Sequence, residues 1–324
     1  MYKKEILEQL RQESPVSGAE LGRTIGISRT AVWKHINELK RQGYVIDSVP
    51  SKGYYFIAAP DALLPEEITA GLKTRILGRQ IVYERETPST QAISKALASQ
   101  GAVEGTIVVA ETQSGGRGRV GRPWSSPQGG LYFSIILRPD IKPGEALRLP
   151  LIAGIAVAQA IKRNTNLNPR LKWPNDVLID TKKVGGILTE MSAEPDRLDW
   201  VIIGIGLNVN TPRESFPHEV EESATSLMEA VGEEIPRVKL LQGILVEFES
   251  LYGNLAKNGF EPLRARWKAL SDTIGAQVVV TMPDGQVKGL AADIDSDGAL
   301  ILDKGNGDIE RIIGGMVRLR KLRE

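Results

Sequence analysis

The 324-residue sequence contains no cysteine. That excludes a disulfide scaffold, thiolate metal sites and a thiol nucleophile. Histidine is almost missing as well: His35 and His218 are the only two, too few for a multi-histidine metal centre. Neither sign of charge dominates, with 41 basic and 40 acidic residues, and the resulting +1 neither favours nor disfavours a nucleic-acid partner. No run approaches the roughly 20 apolar residues of a membrane span. The N-terminus, Met1-Tyr2-Lys3-Lys4-Glu5, carries charges where a signal peptide needs an apolar core. A soluble cytoplasmic protein is expected. No internal repeat or low-complexity tract is present. What remains is ordinary globular composition, 41% hydrophobic and 25% charged, which excludes disorder. The length allows two or three domains at roughly 100–200 residues each.

Three textures divide the chain. Residues 1–62 show short helical patterns and then an aromatic-rich extended stretch, with nine basic against six acidic residues up to position 60. Pro60-Asp61-Ala62-Leu63-Leu64-Pro65 reads as a linker. Residues 63–270 alternate apolar strand-like runs with helix-period segments. Residues 271–324 are short strands punctuated by Pro283-Asp284-Gly285, Asp297-Gly298 and Asn306-Gly307, which are hairpin signals of a small all-β domain.

In the first region Ile6, Leu7 and Leu10 define a first helix. Ser17-Gly18-Ala19-Glu20 fits a capping box for a second, running to about Thr24. Ile25-Gly26-Ile27 makes a turn in which Gly26 can take a positive φ. Ser28 caps a third helix to about Gln42, with Val32, Ile36 and Leu39 facing inward. Ser28, Arg29, Thr30, Trp33, Lys34 and His35 are left on the outer face. Val45–Val49 and Gly53–Phe56 then pair as a hairpin with Ser51-Lys52 at its tip. Together these describe a winged helix-turn-helix that reads DNA, with Lys52 on the wing. A small helical interaction domain that docks a protein partner is the competing reading. The modest basic excess implies dimerisation on a two-part site.

The most informative stretch is Gln113-Ser114-Gly115-Gly116-Arg117-Gly118-Arg119-Val120-Gly121-Arg122-Pro123-Trp124, after the apolar run Thr106–Ala110. Gly116, Gly118 and Gly121 spell G-x-G-x-x-G, but Pro123 and Pro127 break the helix that a dinucleotide site needs. No P-loop is present. The reading that remains is a flexible loop whose arginine forks bind carboxylate or phosphate oxygens, with Trp124 free to stack on a base. A solvated basic loop is the bland alternative. Further on, Lys172-Trp173-Pro174-Asn175-Asp176 reads as a site edge, where Asp176 could hold Mg2+ through water and Asn175 a phosphate or ribose. Lys183 precedes Gly185-Gly186, where a ligand can approach the backbone, and Val201–Asn210 is a buried strand with small residues at alternate positions.

Two motifs are traps. Asp293-Ile294-Asp295-Ser296-Asp297-Gly298 copies half of an EF-hand loop, but the twelfth position is Lys304 and strands flank it, so it reads as a hairpin turn. His218 lies in a loop of prolines and acids, 211–226, and reads as a surface histidine.

Together the motifs resemble those of the bifunctional biotin–protein ligase and biotin-operon repressor family. Gly-Arg-Gly-Arg-x-Gly-Arg-x-Trp at 116–124, Lys-Trp-Pro-Asn-Asp at 172–176 and Lys-x-Gly-Gly-Ile-Leu at 183–188 stand in the family's order and spacing. Ser89-Thr90-Gln91 resembles its Ser-Thr-Asn, with Gln in place of Asn. The resemblance spans the chain. It implies a multidomain α+β fold: a winged helix-turn-helix, a class II synthetase/biotin ligase-like mixed sheet with helices, and an SH3-like C-terminal β-barrel. It implies a two-step reaction, in which biotin and ATP give biotinyl-5′-AMP and pyrophosphate and a lysine of a biotin carboxyl carrier protein then accepts biotin. It also implies repression of biotin genes by an adenylate-loaded homodimer on operator DNA, with no membrane role.

By resemblance, Ser89, Thr90, Gln91, Gln113, Gly116, Gly118 and Gly206 hold biotin. Arg117, Arg119 and Lys183 serve biotin's carboxylate and the phosphate in the chemistry itself. Arg119, Arg122, Trp124, Lys172, Asn175, Asp176, Asn208 and Arg320 serve ATP and the adenylate, with Trp124 on adenine. ATP, biotin and Mg2+ are the implied cofactors, with Asp176 the metal residue. Two other readings stay in view: a biotin-sensing repressor without ligase activity, which would need a broken ligase motif, and a lipoate–protein ligase. Lipoate ligases share the fold but carry a His-Asp pair, and this chain has no histidine between 36 and 217.

Overall fold

The computed structural model describes residues 2–283 and 285–319. It divides into two compact units, Met1–Glu67 and Ile68–Glu324. In the first, α1 (Tyr2–Gln12), α2 (Gly18–Ile25) and α3 (Arg29–Arg41) precede β1 (Val45–Val49) and β2 (Gly53–Ala58). The caps explain the helices. Ser17 Oγ accepts from the Glu20 amide at 3.1 Å, and Ser28 Oγ from the Ala31 amide at the same distance. Glu20 does not return the reciprocal bond among the described residues, so half of the predicted capping box forms. Gly26 sits at φ +78° and ends α2. Ile6, Leu7, Leu10, Leu21, Val32, Ile36 and Leu39 close the core. β1 and β2 form an antiparallel hairpin that turns between Val49 and Gly53.

The short α4 (Pro65–Thr69) bridges the division between the units. The second unit runs β3 (Ile81–Thr87), α5 (Thr90–Ser99), β4 (Ile107–Gln113), β5 (Leu131–Leu137), α6 (Arg148–Asn164), β6 (Arg170–Lys172), β7 (Asp176–Ile179), β8 (Lys182–Glu194) and β9 (Arg197–Leu207). These strands make one sheet in the order β3-β4-β5-β9-β8-β7-β6, with β3 and β4 parallel and every other pair antiparallel. α7 (Leu227–Val231), α8 (Arg237–Asn258) and α9 (Glu261–Leu270) follow.

Strand alternation assigns the two faces. α5 packs Ala98 against Ile136, Trp200 and Ile202 on one face. On the other, Gly154 of α6 lies beside Leu171 and Ile187. Pro143–Asn164, which includes α6, is long and apolar enough by composition to cross a membrane, contrary to the expectation that no such run exists. Arg148 interrupts its apolar pattern in the sequence. In the fold it is the central core helix, buried at Leu151, Ile152, Ile155 and Ala156 on successive faces.

The C-terminal strands are β10 (Gln277–Met282), β11 (Gly285–Ile294), β12 (Leu300–Asp303), β13 (Ile309–Ile312) and β14 (Met316–Leu319). They form an antiparallel sheet in the order β13-β12-β11-β10-β14. The expected SH3-like barrel is not formed. β13 and β14 are four residues each and lie at opposite edges with no ladder between them among the described residues, and a barrel requires that pairing. β13's edge carries Glu310 and Arg311, a charged edge of the kind that resists further pairing.

Candidate functional site

The site lies on the α5 face of the large sheet, where β8 and β9 run side by side. Gly186 pairs with Gly206, and Leu188 with Gly204. Gly204 and Gly206 are two apart and share a face, so the alternating small residues leave a trough floored by backbone. Each glycine is filled by a specific side chain. A Cβ on Gly204 would stand 2.4 Å from Gln91 Oε1. A Cβ on Gly206 would stand 2.5 Å from Trp124 Nε1, and one on Gly186 3.2 Å from Trp124 Cζ3.

One wall is a hydrogen-bonded chain at the start of α5. Ser134 Oγ donates to Gln91 Oε1 at 3.0 Å and lies 2.9 Å from Thr90 Oγ1. The Thr90 amide and hydroxyl donate to Gln113 Oε1 at 2.9 and 3.2 Å. Gln113 Nε2 donates to Ser126 Oγ at 2.9 Å, and Ser126 Oγ to the Trp124 carbonyl at 3.2 Å. Thr90, Gln91 and Ser126 are buried, so these groups hold one another in fixed orientation. Ser134 and Ser126 are members that sequence reasoning missed. Ser134 gives no signal in an apolar strand, whereas Ser126 stands two residues after Trp124 and could have been found from the loop motif. Ser89 begins α5 but its side chain makes no capping bond.

The arginine–glycine loop is a tight hairpin. The Gly118 amide donates to the Arg122 carbonyl at 2.7 Å, and the Trp124 amide to the Gly116 carbonyl at 2.9 Å. Gly116 has no room for a side chain: a Cβ would meet the Trp124 carbonyl at 2.5 Å and Ser126 Oγ at 2.7 Å. Val120 caps the hairpin at φ +56°, an uncommon conformation for a β-branched residue, and is 80% exposed. The loop separates its arginines. Arg117 and Arg122 are exposed and make no side-chain bond among the described residues. Arg119 is half-buried and donates to Asn175 Oδ1 at 3.4 Å and to the Gly315 carbonyl at 3.3 Å.

Arg119 enters a cationic cluster around one carboxylate. Lys183 Nζ lies 2.6 Å from Asp176 Oδ1, and Lys172 Nζ 3.8 Å from Oδ2. Lys183 also sits 5.3 Å from the Trp124 ring centroid, within cation–π range. Burial pushes the Lys172 ammonium below the ordinary lysine range. Asp176 opposes that shift, while the charges of Lys183 and Arg318 add to it. Burial likewise lowers Arg119, against the pull of Asp176. Positive groups crowded past neutrality are suited to a polyanion. Arg318 on β14 contributes to this field, whereas Arg320, predicted for the nucleotide, lies outside the described residues.

Other predicted residues take quieter places. Asn175 Nδ2 donates to the Ile187 carbonyl at 2.9 Å, and Asn208 Nδ2 to the Thr225 carbonyl at 3.1 Å, so both amides are partly committed to the scaffold. The segment 211–226 is tied to β8, since the Lys183 amide donates to the Ser223 carbonyl at 2.8 Å. His218 is exposed there. Gln91 turns its amide to Ser134 and to the Ile202 carbonyl of β9. Trp124 rests on Gly206, beside the residues assigned to biotin, so its placement does not set it apart at an adenine subsite. Asp176 does not fit a protein-held metal: both oxygens face lysines, and no cluster of three metal-ligating side chains occurs among the described residues. The EF-hand-like turn is spent on ion pairs, Asp293 with Arg264 and Lys268, and Asp295 and Asp297 with Arg311.

In the first unit Ser28, Arg29, Thr30, Trp33 and Lys34 are exposed along the start of α3, with Trp33 56% exposed, and Lys52 is exposed at the hairpin tip. His35 departs from this row: its ring packs 5.8 Å from Tyr2 and its Nδ1 is buried.

Comparison with known proteins covers the same regions. A family model described as the biotin/lipoate A/B protein ligase family matches residues 83–208, an HTH domain model matches 3–55, and a biotin protein ligase C-terminal domain model matches 273–320. The bifunctional ligase/repressor BirA of Bacillus subtilis is 42% identical over 98% of this chain and 98% of its own. That of Escherichia coli is 32% identical over 94% of this chain and 92% of its own. The biotin protein ligase of Aquifex aeolicus, solved with biotin and ATP, superposes with a TM-score of 0.64 at 32% identity, over 75% of this chain and 99% of that one.

Proposed function

The chain belongs to the bifunctional biotin ligase/repressor family, an ATP-dependent biotin ligase that is also a transcriptional repressor, and we propose the residue roles and partners through which it acts. The three functional regions are proposed as 1–62 for DNA, 63–270 for the ligase and 271–324 for the C-terminal sheet. The observation that carries the site reading is the contiguity of two chemistries: a neutral, oriented hydroxyl–amide chain at Thr90–Gln113–Ser126 adjoins a cluster of cations around Asp176.

The neutral wall suits the ureido and thioether head of biotin. Thr90 and Gln113 are pre-oriented by Ser134 and Ser126, which limits the freedom lost on binding. Backbone at Gly116, Gly118 and Gly206 permits close approach, and Trp124 covers the trough from above Gly206. The carboxylate end of biotin then points toward Lys183 and Arg119. A biotin carboxylate oxygen attacks the α-phosphorus of ATP, the bond from that phosphorus to the bridging oxygen breaks, and pyrophosphate leaves with both bonding electrons. Lys183 and Arg119 offset the repulsion between two anions and the charge that builds up on the phosphoryl oxygens. Lys172, with Asn175 and Asn208, holds the nucleotide beside it. In the second step a lysine amine of a biotin carboxyl carrier protein attacks the acyl carbon, AMP leaves, and the amine proton passes to solvent. No protein nucleophile is needed. Arg117 and Arg122, exposed on the loop, are proposed to reach the bound adenylate or the incoming carrier. Mg2+ is proposed only as a companion of the nucleotide, held by phosphate oxygens and water.

For the first unit we propose operator DNA as partner, with Arg29, Thr30, Trp33, Lys34 and Lys52 facing it and adenylate-loaded chains binding as a homodimer. A cytoplasmic location, where ATP is supplied, is proposed with these roles. The deciding experiment is incorporation of labelled biotin into a carrier domain with ATP and Mg2+, in parallel with lipoate. Biotin transfer with pyrophosphate release supports the roles above. Biotin binding without transfer to a competent carrier leaves a sensor, and transfer of lipoate at a comparable rate overturns the reading of the neutral wall.

A further inference from the structure

Arg237 opens α8 and is 2% exposed. Neither fact suits it locally. A cation at a helix N-terminus opposes the macrodipole, and α8 has no acidic residue in its first turn and no side-chain cap to offset it. A guanidinium taken out of water needs a carboxylate, and a buried ion pair stabilises a core no better than apolar groups of the same volume. A residue that breaks local rules in this way marks a place where geometry matters more than stability.

The partners of Arg237 show which geometry. Its Nη1 lies 2.9 Å from Glu111 Oε2 and donates to the Gly130 carbonyl at 2.9 Å. Glu111 stands on β4 two residues before Gln113, and Gly130 leads into β5 four residues after Ser126. These are the two legs of the segment that carries the arginine–glycine hairpin. The legs meet again above the pair, where the Gln113 amide donates to the Ser126 carbonyl at 3.2 Å and Gln113 Nε2 to Ser126 Oγ at 2.9 Å. Arg237 thus closes the base of the loop, beneath the hydrogen bonds that orient the neutral wall.

A third segment joins at the same point. Asn210, just past β9, exchanges two side-chain bonds with the Ile235 backbone, each 2.9 Å, and its own amide donates to the Gly129 carbonyl at 2.8 Å. The approach is close: a Cβ on Gly129 would stand 2.5 Å from the Asn210 carbonyl. Ile235 and Arg237 therefore tie together the segments that carry Gln113, Ser126 and Asn208, although α8 itself lends no described side chain to the trough.

We infer that Arg237 is a positioning residue for biotin. Through Glu111 and Gly130 it fixes the separation of the two loop legs, and so the orientation in which Gln113 and Ser126 await the ligand. This rests on the ligase reading and extends it. The planar guanidinium reaches a carboxylate and a carbonyl together, which a lysine ammonium matches less well. A wall held in place before binding loses less freedom when the ligand arrives.

The test uses the full chain in two forms: Arg237→Lys, and a paired variant with Arg237→Met and Glu111→Leu, which removes both charges while keeping apolar bulk. Calorimetric titration gives biotin affinity, pyrophosphate release gives KM for biotin and for ATP, and thermal unfolding reports the fold. The paired variant is expected to keep its unfolding midpoint close to that of wild type. Its Kd and KM for biotin should rise by about 10- to 100-fold, the scale of a misplaced positioning group, while KM for ATP holds. Arg237→Lys should fall between, with the same split between the two substrates. Wild-type biotin affinity in the paired variant overturns the inference, and so does a loss that falls equally on biotin and ATP, which would mark Arg237 as packing alone. Should the paired variant not fold, Arg237→Lys decides by the same split: a raised KM for biotin alone supports the inference, and an unchanged or evenly raised pair overturns it. A wild type that binds no biotin overturns the ligase reading itself, a separate result from a wild type and a variant that bind biotin equally well.

Discussion

Lys183 Nζ and Asp176 Oδ1 lie 2.6 Å apart, on neighbouring antiparallel strands in which Asp176 is paired with Gly186. The carboxylate aims the ammonium along the trough floor, and Lys172 lies on its other oxygen. Lys183→Ala removes the charge where two anions must meet, and adenylate formation is expected to fall by about 100- to 1,000-fold, the scale of a lost transition-state donor. Asp176→Asn keeps the ammonium but frees its aim, and a smaller loss follows. Single-turnover pyrophosphate release checks both. Binding of a preloaded sample to operator DNA should survive Lys183→Ala, and an equal loss of both activities would refute the assignment.

Gly206→Ala places a methyl group 2.5 Å from Trp124 Nε1. Either the indole lifts from the trough or the strand shifts, and both spoil the surface proposed for biotin. Calorimetric titration with biotin should show affinity reduced by at least about tenfold, of the order expected for one overpacked contact. Gly232→Ala serves as a control on the same unit, since nothing lies near its Cβ position, and tests only its positive φ.

The pH profile for ATP carries the signature of Lys172. Burial, with Lys183 and Arg318 nearby, lowers its pKa, so its proton leaves at lower pH than that of an ordinary lysine near 10.4. Phosphate prefers the protonated form. KM for ATP should therefore rise as pH climbs through the alkaline range, beginning below the usual lysine value. Lys172→Arg, which stays charged, should flatten the profile, and an identical profile in both proteins would exclude Lys172 as its source.

Acid stability reports on the β11–β12 turn. Burial opposes ionisation of Asp295, but hydrogen bonds from Arg311 and from the Ala299 and Asp297 amides outweigh it and hold the pKa below the usual carboxylate value. With the folded value below the unfolded one, the stabilisation is complete above about pH 4 and is lost as pH falls through the lowered value. Urea midpoints should drop between pH 5 and pH 3 by less in Asp295→Asn than in wild type, with the variant already weaker at neutral pH.

The DNA reader was legible because its signals are local. Ser17, Gly26 and Ser28 each act within four residues, and the inward row of Val32, Ile36 and Leu39 fixes which face is left for DNA. The contact of His35 with Tyr2 was not legible, because the two lie far apart in sequence. In the ligase region the glycine alternation of Val201–Asn210 announced a trough, and the motif order located Lys183 and Arg119. The sequence could not separate Arg119 from Arg117, because an offset of two residues on a tight hairpin decides which guanidinium reaches Asn175. Gln91 was read as a ligand group from its neighbours in the motif; that Ser134, on a strand 43 residues away, donates to its amide oxygen is a long-range contact that the motif does not encode. The open C-terminal sheet and the position of Arg318 both depend on which strands sit at the edges, and edge order is a long-range property that hairpin signals do not encode.

The bond from Arg119 to Gly315 spans 196 residues of chain. A growing polypeptide leaves the ribosome from its first residue onward, so the helix-turn-helix can fold long before the last strand exists. Arg119, by contrast, lacks its bond to the C-terminal sheet until position 315 emerges. Fragments that stop short of β14, whether from a premature stop codon or from cleavage, would keep a DNA reader without a competent nucleotide site. Such a fragment would be cut off from the adenylate it cannot make, and the gene's two activities would be lost in a fixed order, enzyme first.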